Sequence, residues 1–299
     1  MKIGVIFGGT SSEREVSLSS GQAIVSACAS LGHEVISLDP KDGLFNQLPA
    51  LKSVDVVFNG LHGGDGENGV IPGFLESIGV RYTGSGNEAS AICMDKRVSK
   101  ALVLRKQILT PDWMSLSIED DIPKDHDLGY PLVVKSNSQG STIGLTVVLD
   151  PSQLKNAVTL ARKYDTVVLM ESFVAGREIT VSIIGEKAYP IVEINPSHDL
   201  YDYECKYTKG MTDYYCPADL DEALTKSVQE TALRIHKMLG CRHYSRVDFR
   251  LDKNNNAWFL EVNTLPGMTE TSLVPKSVKA SGMSFSDLIH MIINEALKD

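Results

Sequence analysis

Residues 244–263 limit the fold more than any other stretch. The segments Tyr-Ser-Arg-Val-Asp-Phe-Arg-Leu at 244–251 and Ala-Trp-Phe-Leu-Glu-Val-Asn at 257–263 both alternate with period two, as half-buried strands do. Val247, Phe249 and Leu251 share one face of the first, leaving Arg246, Asp248 and Arg250 on the other. In the second, Trp258, Leu260 and Val262 oppose a face with Glu261 and Asn263. Asn tolerates positive φ, so Asn254-Asn255 predicts a two-residue hairpin turn that pairs Lys253 with Asn256. Counting outward sets Asp248 opposite Glu261 and Arg246 opposite Asn263, close enough to share a ligand. Two carboxylates and an amide oxygen are hard donors suited to Mg²⁺, and without a cation the carboxylates would repel each other. An ordinary surface hairpin shows the same alternation. Here, however, the chain runs on into the polar loop Thr-Leu-Pro-Gly-Met-Thr at 264–269.

The rest of the chain is read around that hairpin. At 299 residues there is room for two or three α/β units. A net charge of −9 argues against nucleic acid or an anionic membrane as partner, though not against a locally basic pocket. The five cysteines are scattered and never spaced Cys-x-x-Cys, which suits reduced thiols in a cytoplasmic protein better than disulfides or zinc. No apolar run reaches membrane-spanning length, and Met1-Lys2 leads straight into a strand rather than a signal peptide.

Lys2 to Phe7 predicts a buried strand running into Gly8-Gly9-Thr10-Ser11-Ser12-Glu13-Arg14-Glu15. Ser12 with Glu15 fits a capping box for a helix to about Ser30. Strand, glycine turn and helix suggest a doubly wound sheet, but Gly4, Gly8 and Gly9 do not form the dinucleotide fingerprint. Further strands are expected at Val35–Leu38 and Val54–Asn59, the latter feeding the glycine-rich loop 60–69 with His62. Glu13 and His62 thus fall at strand ends, where such sheets bind ligands. The first unit closes near residue 94. Tyr130 to Ser136, the Gly/Ser loop 137–144 and Leu145 to Leu149 read as a hairpin able to wrap phosphates, with Lys96 and Lys135 as cationic partners. Glu171-Ser172-Phe173-Val174 offers an acid and backbone groups to an adenine. Asn195 to Pro217 has no period and reads as a lid.

Five motifs together resemble the D-alanine–D-alanine ligases of the ATP-grasp superfamily, nearly end to end: Gly-Gly-Thr-Ser-Ser-Glu-Arg-Glu-Val-Ser at 8–17, Leu-His-Gly-Gly-Asp-Gly-Glu-Asn-Gly at 61–69, Lys-Ser-Asn-Ser-Gln-Gly-Ser-Thr-Ile-Gly at 135–144, Tyr-Asp-Tyr-Glu-Cys-Lys-Tyr at 201–207, and Arg-Val-Asp with Glu-Val-Asn-Thr-Leu-Pro-Gly-Met-Thr at 246–269. The resemblance implies an α/β, three-domain ATP-grasp fold. A Rossmann-like substrate domain would span 1–94, a central ATP-grasp lobe 95–182, and a C-terminal lobe with hairpin and lid 183–299, with two antiparallel sheets enclosing ATP. It implies that Lys96, Lys135, Ser141 and Lys206 contact the nucleotide's phosphates, that Glu171 and Glu178 contact adenine and ribose, and that Asp248, Glu261 and Asn263 hold two Mg²⁺, for which Mn²⁺ can substitute. It further implies that Glu13 takes the first D-alanine's ammonium with His62 nearby, that Arg246 stabilises an oxyanion, and that Ser141 and Tyr207 link Glu13 to the lid. Gly267, Ser272 and Leu273 would receive the second substrate. A homodimer is implied as well.

Ser136 stands where the family commonly has proline, Asn68 where it has aspartate, and Cys205 where it has alanine. Within ligases the rivals are D-alanine–D-lactate and D-alanine–D-serine enzymes, and Tyr207 speaks against the lactate type. A nucleotide-binding protein without catalysis is opposed by Arg246, Asp248, Glu261 and Asn263, and a dinucleotide oxidoreductase by the missing fingerprint.

Overall fold

The computed structural model describes residues 1–196 and 212–299, built on three sheets. The first unit runs β1 (Lys2–Ile6), α1 (Arg14–Ser30), β2 (Glu34–Leu38), α2 (Leu48–Leu51), β3 (Val56–Asn59) and α3 (Val70–Ser77). β1 lies in the centre, parallel to both neighbours in the order β2-β1-β3, and Tyr82 adds a parallel bridge to Val57. Successive side chains point to opposite faces. Ile3, Val5 and Phe58 therefore pack against α1 and a helix from the far end of the chain, and Ile6 and Val57 against Leu51, Ile71 and Leu75. Helices cover both faces, as the doubly wound reading expects. The capping box does not form. α1 starts at Arg14 with Glu13 at its cap and no side-chain cap bond, because Ser11 and Glu13 bond across the cleft instead.

α4 (Asn87–Met94) and α5 (Lys96–Arg105) follow, and Asp95 caps α5 by accepting from the N–H groups of Arg97 and Val98. β4 (Trp113–Ser117), β5 (Leu132–Ser136), β6 (Thr146–Val148) and β7 (Val167–Ser172) form an antiparallel sheet in the order β4-β7-β5-β6. α6 (Pro151–Ala161) packs Leu154 and Val158 onto its Leu132, Val134 and Met170.

The third sheet contains β8 (Arg177–Ile184), β9 (Lys187–Ala188), β10 (Val192–Pro196), β11 (Thr212–Tyr215), β12 (Tyr244–Leu251) and β13 (Ala257–Asn263) in the order β11-β10-β8-β12-β13, with β9 on β8. α7 (Glu222–Met238) packs with residues of α4 and α5 on its apolar face. α8 (Leu273–Ala280) and α9 (Phe285–Ala296) complete the chain, α9 lying on the first sheet. β8 belongs whole to the third sheet, although the expected 182/183 division crosses it.

Asn195–Pro217, expected as one aperiodic lid, carries strand at both ends of its span. β10 continues to Pro196, and β11 pairs with it through Asn195↔Asp213 and Glu193↔Tyr215. Residues 197–211, including Cys205, Lys206 and Tyr207, lie outside the described residues.

The hairpin reaches the expected register by another route. Arg246 pairs with Asn263 and Asp248 with Glu261. The turn is a three-residue loop rather than a two-residue one, with Asp252 N–H donating to Asn256 O (3.1 Å) and Asn255 at φ 63. Asp252's carboxylate gathers the N–H groups of Asn254 and Asn256 and the Trp258 indole, which stabilises the wider loop. A bulge between Asp248 and Phe249 leaves Leu260 without a partner and restores the count. The alternation slips there. Phe259 enters the core, and Leu260 turns to the cavity.

Candidate functional site

Two cavities meet between the sheets. The first lies between β5/β7 and β8/β12/β13 and includes Lys135, Glu171, Phe173, Glu178, Asp248 and Leu260 in its wall. The second opens toward the first sheet, among Glu13, His62, Ser141, Asn263, Gly267 and Ser272. Both touch Lys96, Gln139, Gly140, Arg246 and Glu261. A group passing from a ligand in one cavity to a ligand in the other would cross at that junction.

Around the first cavity the acids stand against bases. Arg246 forms a bidentate pair with Asp248 (Nε–Oδ1 2.9 Å, Nη2–Oδ2 2.7 Å), the strong geometry for a guanidinium. Thr180 Oγ1 also donates to Asp248, at 2.5 Å. Lys96 Nζ lies 3.1 Å from Glu261 and donates to Gln139 O at 2.9 Å. Arg250 sits 3.3 Å from Glu178 and donates to Val174 O. Glu171 lies between two ammonium groups, Lys135 at 2.5 Å and Lys100 at 2.7 Å. Burial alone would raise the Glu171 carboxyl, but Lys100 and Lys135 outweigh it and hold the group below its ordinary range. Burial pushes Lys100 down to about 8, against the pull of Glu171. In the adjoining loop Ser141 (φ 52) and Thr142 (φ 62) both sit in the left-handed region, which non-glycine residues rarely adopt. Such strain is found where a loop is shaped for a ligand.

The second cavity is held by loops. Arg14 pairs with Asp39 at 2.7 Å, and Asp39 also accepts from Gly9 N–H, which pins the loop after β1. Glu13 is buried and accepts from the Ser141 hydroxyl, tying the first sheet to the 137–144 loop. A Cβ on Gly63 (φ +65) would lie 2.6 Å from Glu13 Oε2, so glycine alone fits beside that carboxylate. His62 is buried with both ring nitrogens engaged: Nδ1–H donates to Leu265 O (3.0 Å) and Nε2 accepts from Ser20 Oγ (2.8 Å). Ser20 Oγ in turn accepts from Met268 N–H. His62 thus lines the cavity while clamping the 264–268 loop to α1. Ser272 precedes α8, and its Oγ accepts from Thr269 N–H at 3.1 Å. A Cβ on Gly267 would come within 2.8 Å of that oxygen. First-turn N–H groups of a helix lack intrahelical partners and favour an anion, so Ser272 and Leu273 sit where a carboxylate fits.

All the expected site residues that are described line one or both cavities: Glu13, His62, Lys96, Lys135, Ser141, Glu171, Glu178, Arg246, Asp248, Glu261, Asn263, Gly267, Ser272 and Leu273. Lys206 and Tyr207 fall outside the described residues. No site role is assigned from the sequence to Lys100, Thr180 or Ser20; the alternation sets Arg250 on the polar face without a role and Leu260 on the face away from it. Lys100 follows Lys96 by one helical turn, a spacing that predicts a shared face; Thr180 and Ser20 carry no comparable signal. Of the departures from the resemblance, buried Ser136 donates to Ala161 O, and Asn68 accepts from Val70 N–H at the start of α3.

The donor set suits magnesium. Asp248 on β12 and Glu261 and Asn263 on β13 bring carboxylate and amide oxygens together on the paired strands. Among the described residues no group of three His, Cys, Asp or Glu side chains forms a metal cluster. The set would therefore depend on the amide and on oxygens supplied by a phosphate ligand.

Comparison with known proteins gives one direction. A family model described as "D-ala D-ala ligase C-terminus" matches residues 103–294, and one described as "D-ala D-ala ligase N-terminus" matches 39–85. The D-alanine–D-alanine ligase of Aquifex aeolicus is 45% identical over 294 residues, covering 98% of this chain and 100% of the relative. The crystal structure of the Bacillus anthracis D-alanine–D-alanine ligase complexed with ATP superposes with a TM-score of 0.89 at 36% identity, covering 100% of this chain and 98% of that one. The VanG D-Ala:D-Ser ligase of Enterococcus faecalis gives 0.84 at 30% identity, with 99% of each chain covered.

Proposed function

Because the chain belongs to the D-alanine–D-alanine ligase family, we propose the residue roles that follow for its reaction, the ATP-dependent joining of two D-alanines into the dipeptide used in peptidoglycan precursors. The observation that carries the reading is the junction of the two cavities at Lys96, Arg246 and Glu261.

ATP occupies the first cavity, with its adenine toward Glu171 and Phe173 and its ribose toward Glu178. Lys96 and Lys135 leave their carboxylate partners for the phosphates. Asp248, Glu261 and Asn263 would hold Mg²⁺, which when bound neutralises phosphate charge. In the second cavity Glu13 binds the ammonium of the first D-alanine and directs its carboxylate to the junction. A carboxylate oxygen attacks the γ-phosphorus, the bond to ADP breaks, and an acyl phosphate results. The second D-alanine, its carboxylate at Ser272 and the N-terminus of α8, presents its deprotonated amine to the acyl carbon. Arg246 stabilises the tetrahedral oxyanion before phosphate departs and the peptide bond remains. Ser141 keeps Glu13 oriented. Lys206 and Tyr207 belong to a cover that excludes water, since an exposed acyl phosphate hydrolyses. Glu261 paired with Lys96 supports the phosphate and metal roles, because a phosphate can draw that base away, and Asp248 paired with Arg246 holds the guanidinium beside the proposed metal ligands.

The enzyme is further proposed to act in the cytoplasm as a homodimer. No described helix is long and apolar enough to cross a membrane, and the described cysteines are free thiols. The deciding experiment measures phosphate release with ATP, Mg²⁺ and D-alanine alone or with D-serine or D-lactate, and identifies the product by mass. D-alanyl-D-alanine as the main product is expected. A product from D-alanine with D-serine or D-lactate in preference would overturn the second-substrate assignment.

A further inference from the structure

Among the described residues of the site's ion-pair chain, Lys100 alone lines neither of the two cavities. Its side chain is 0% exposed, while that of Glu171 is 3% and that of Lys135 10% exposed. The ammonium lies 2.7 Å from Glu171 Oε1, donates to Thr110 Oγ1 at 2.5 Å and faces the Trp113 ring at 5.5 Å. Thr110 Oγ1 passes the link on to Phe259 O at 2.9 Å, two residues before Glu261 on β13. A buried lysine is expensive to desolvate, and helix surfaces favour lysine only where the head reaches water. Core packing alone would be better served by methionine or leucine.

The two lysines on Glu171 are not equivalent. Lys135 borders the nucleotide cavity, and an arriving triphosphate competes for it; Lys100 is enclosed and stays. A buried carboxylate stripped of its counter-charge takes up a proton and becomes a donor on one oxygen. Kept ionised, it only accepts, and it then distinguishes a 6-amino purine from a 6-oxo purine. A buried hydrogen-bonding group rejects a ligand that leaves it unpaired far better than an apolar pocket does.

From this geometry we infer that Lys100 is a positioning residue that keeps Glu171 an ionised acceptor after Lys135 turns to the phosphates, and so sets the preference for adenine over 6-oxo purines. The inference rests on the proposed seat of the adenine beside Glu171. It needs no particular amino-acid substrate.

Calorimetric binding of ATP and of inosine triphosphate to the intact protein tests it without any turnover. The unaltered protein should bind ATP the tighter of the two. Lys100→Met should shrink that preference about tenfold, mainly by weakening ATP. In a Glu171→Gln background the same substitution should change the ratio no further, because it acts through Glu171. A lysine serving only as packing would lower stability and leave the ratio where it was, which overturns the inference. Should Lys100→Met not fold, Lys100→Gln, which keeps a polar head and removes the charge beside Glu171, still decides: the ATP preference should shrink likewise, and an unchanged ratio overturns the inference. Failure of D-alanine ligation would strike the proposed reaction and leave this binding result standing.

Discussion

In the cavity proposed for the nucleotide, Glu171, Glu178, Asp248 and Glu261 stand on strands, and each has a base within 3.3 Å. In the cavity proposed for the amino acids, Glu13, His62 and Ser272 come from loops or helix starts and are held by hydroxyls, backbone groups and glycines. Strand register spaces charges rigidly and leaves their partners to be exchanged, which suits a polyanion that arrives with counter-ions of its own. Loops bring backbone close to a small zwitterion and select by volume. The nucleotide side should therefore be sensitive to lost charge, and the amino-acid side to added atoms.

The strongest test removes a charge at the junction. Arg246→Met should lower kcat by about 10²-fold or more with little change in ATP affinity, because the guanidinium acts on a charge formed during reaction. Near-normal turnover would make Arg246 a structural partner of Asp248. Next comes an added atom. Gly63→Ala places a methyl against Glu13 and strains a left-handed backbone, so the KM for the first D-alanine should rise on the order of thirtyfold while ATP binding holds. A loss of ATP binding instead would break the division between the cavities. Ser272→Ala deletes one neutral donor to a charged group, and initial rates should show the KM for the second D-alanine up by about tenfold. An effect confined to the first D-alanine would reassign Ser272. The smallest effect is expected at the hairpin tip. Asn255→Ala in the left-handed region should cost about 1 kcal/mol in chemical denaturation, and the steady-state constants should not move.

The polar face of the hairpin was legible because alternation survives one slip near the turn. A two-residue turn was the wrong choice, since the Asp252 carboxylate stabilises the wider loop, and the bulge at Leu260 then restored the count. Neither event leaves a mark in period-two counting, so Leu260 was assigned to the core and Phe259 was not. α4 escaped notice for a related reason: in Asn-Glu-Ala-Ser-Ala-Ile-Cys-Met the buried side chains are Ala89, Ser90 and Cys93, too small or polar to show a helical stripe. β11 reads Thr-Asp-Tyr-Tyr and has no apolar face to count. Ser12 and Glu15 matched a capping box locally, yet long-range bonds of Ser11 and Glu13 decided how α1 begins. Buried partners such as Lys100 and Thr180 become visible only once sheets distant in sequence are stacked.

α9 gives the chain an unusual order of assembly. Leu288, Ile289, Ile292 and Ile293 complete the apolar layer that Ile3, Val5 and Phe58 begin. During synthesis the first strands leave the ribosome hundreds of residues before the helix that covers them. The parallel sheet is thus completed late, and until residue 296 emerges the part of its face that α1 does not cover is open to water and to other chains. Loss of α9 would then injure the cavity around Glu13 and His62, which lies more than 200 residues away in sequence.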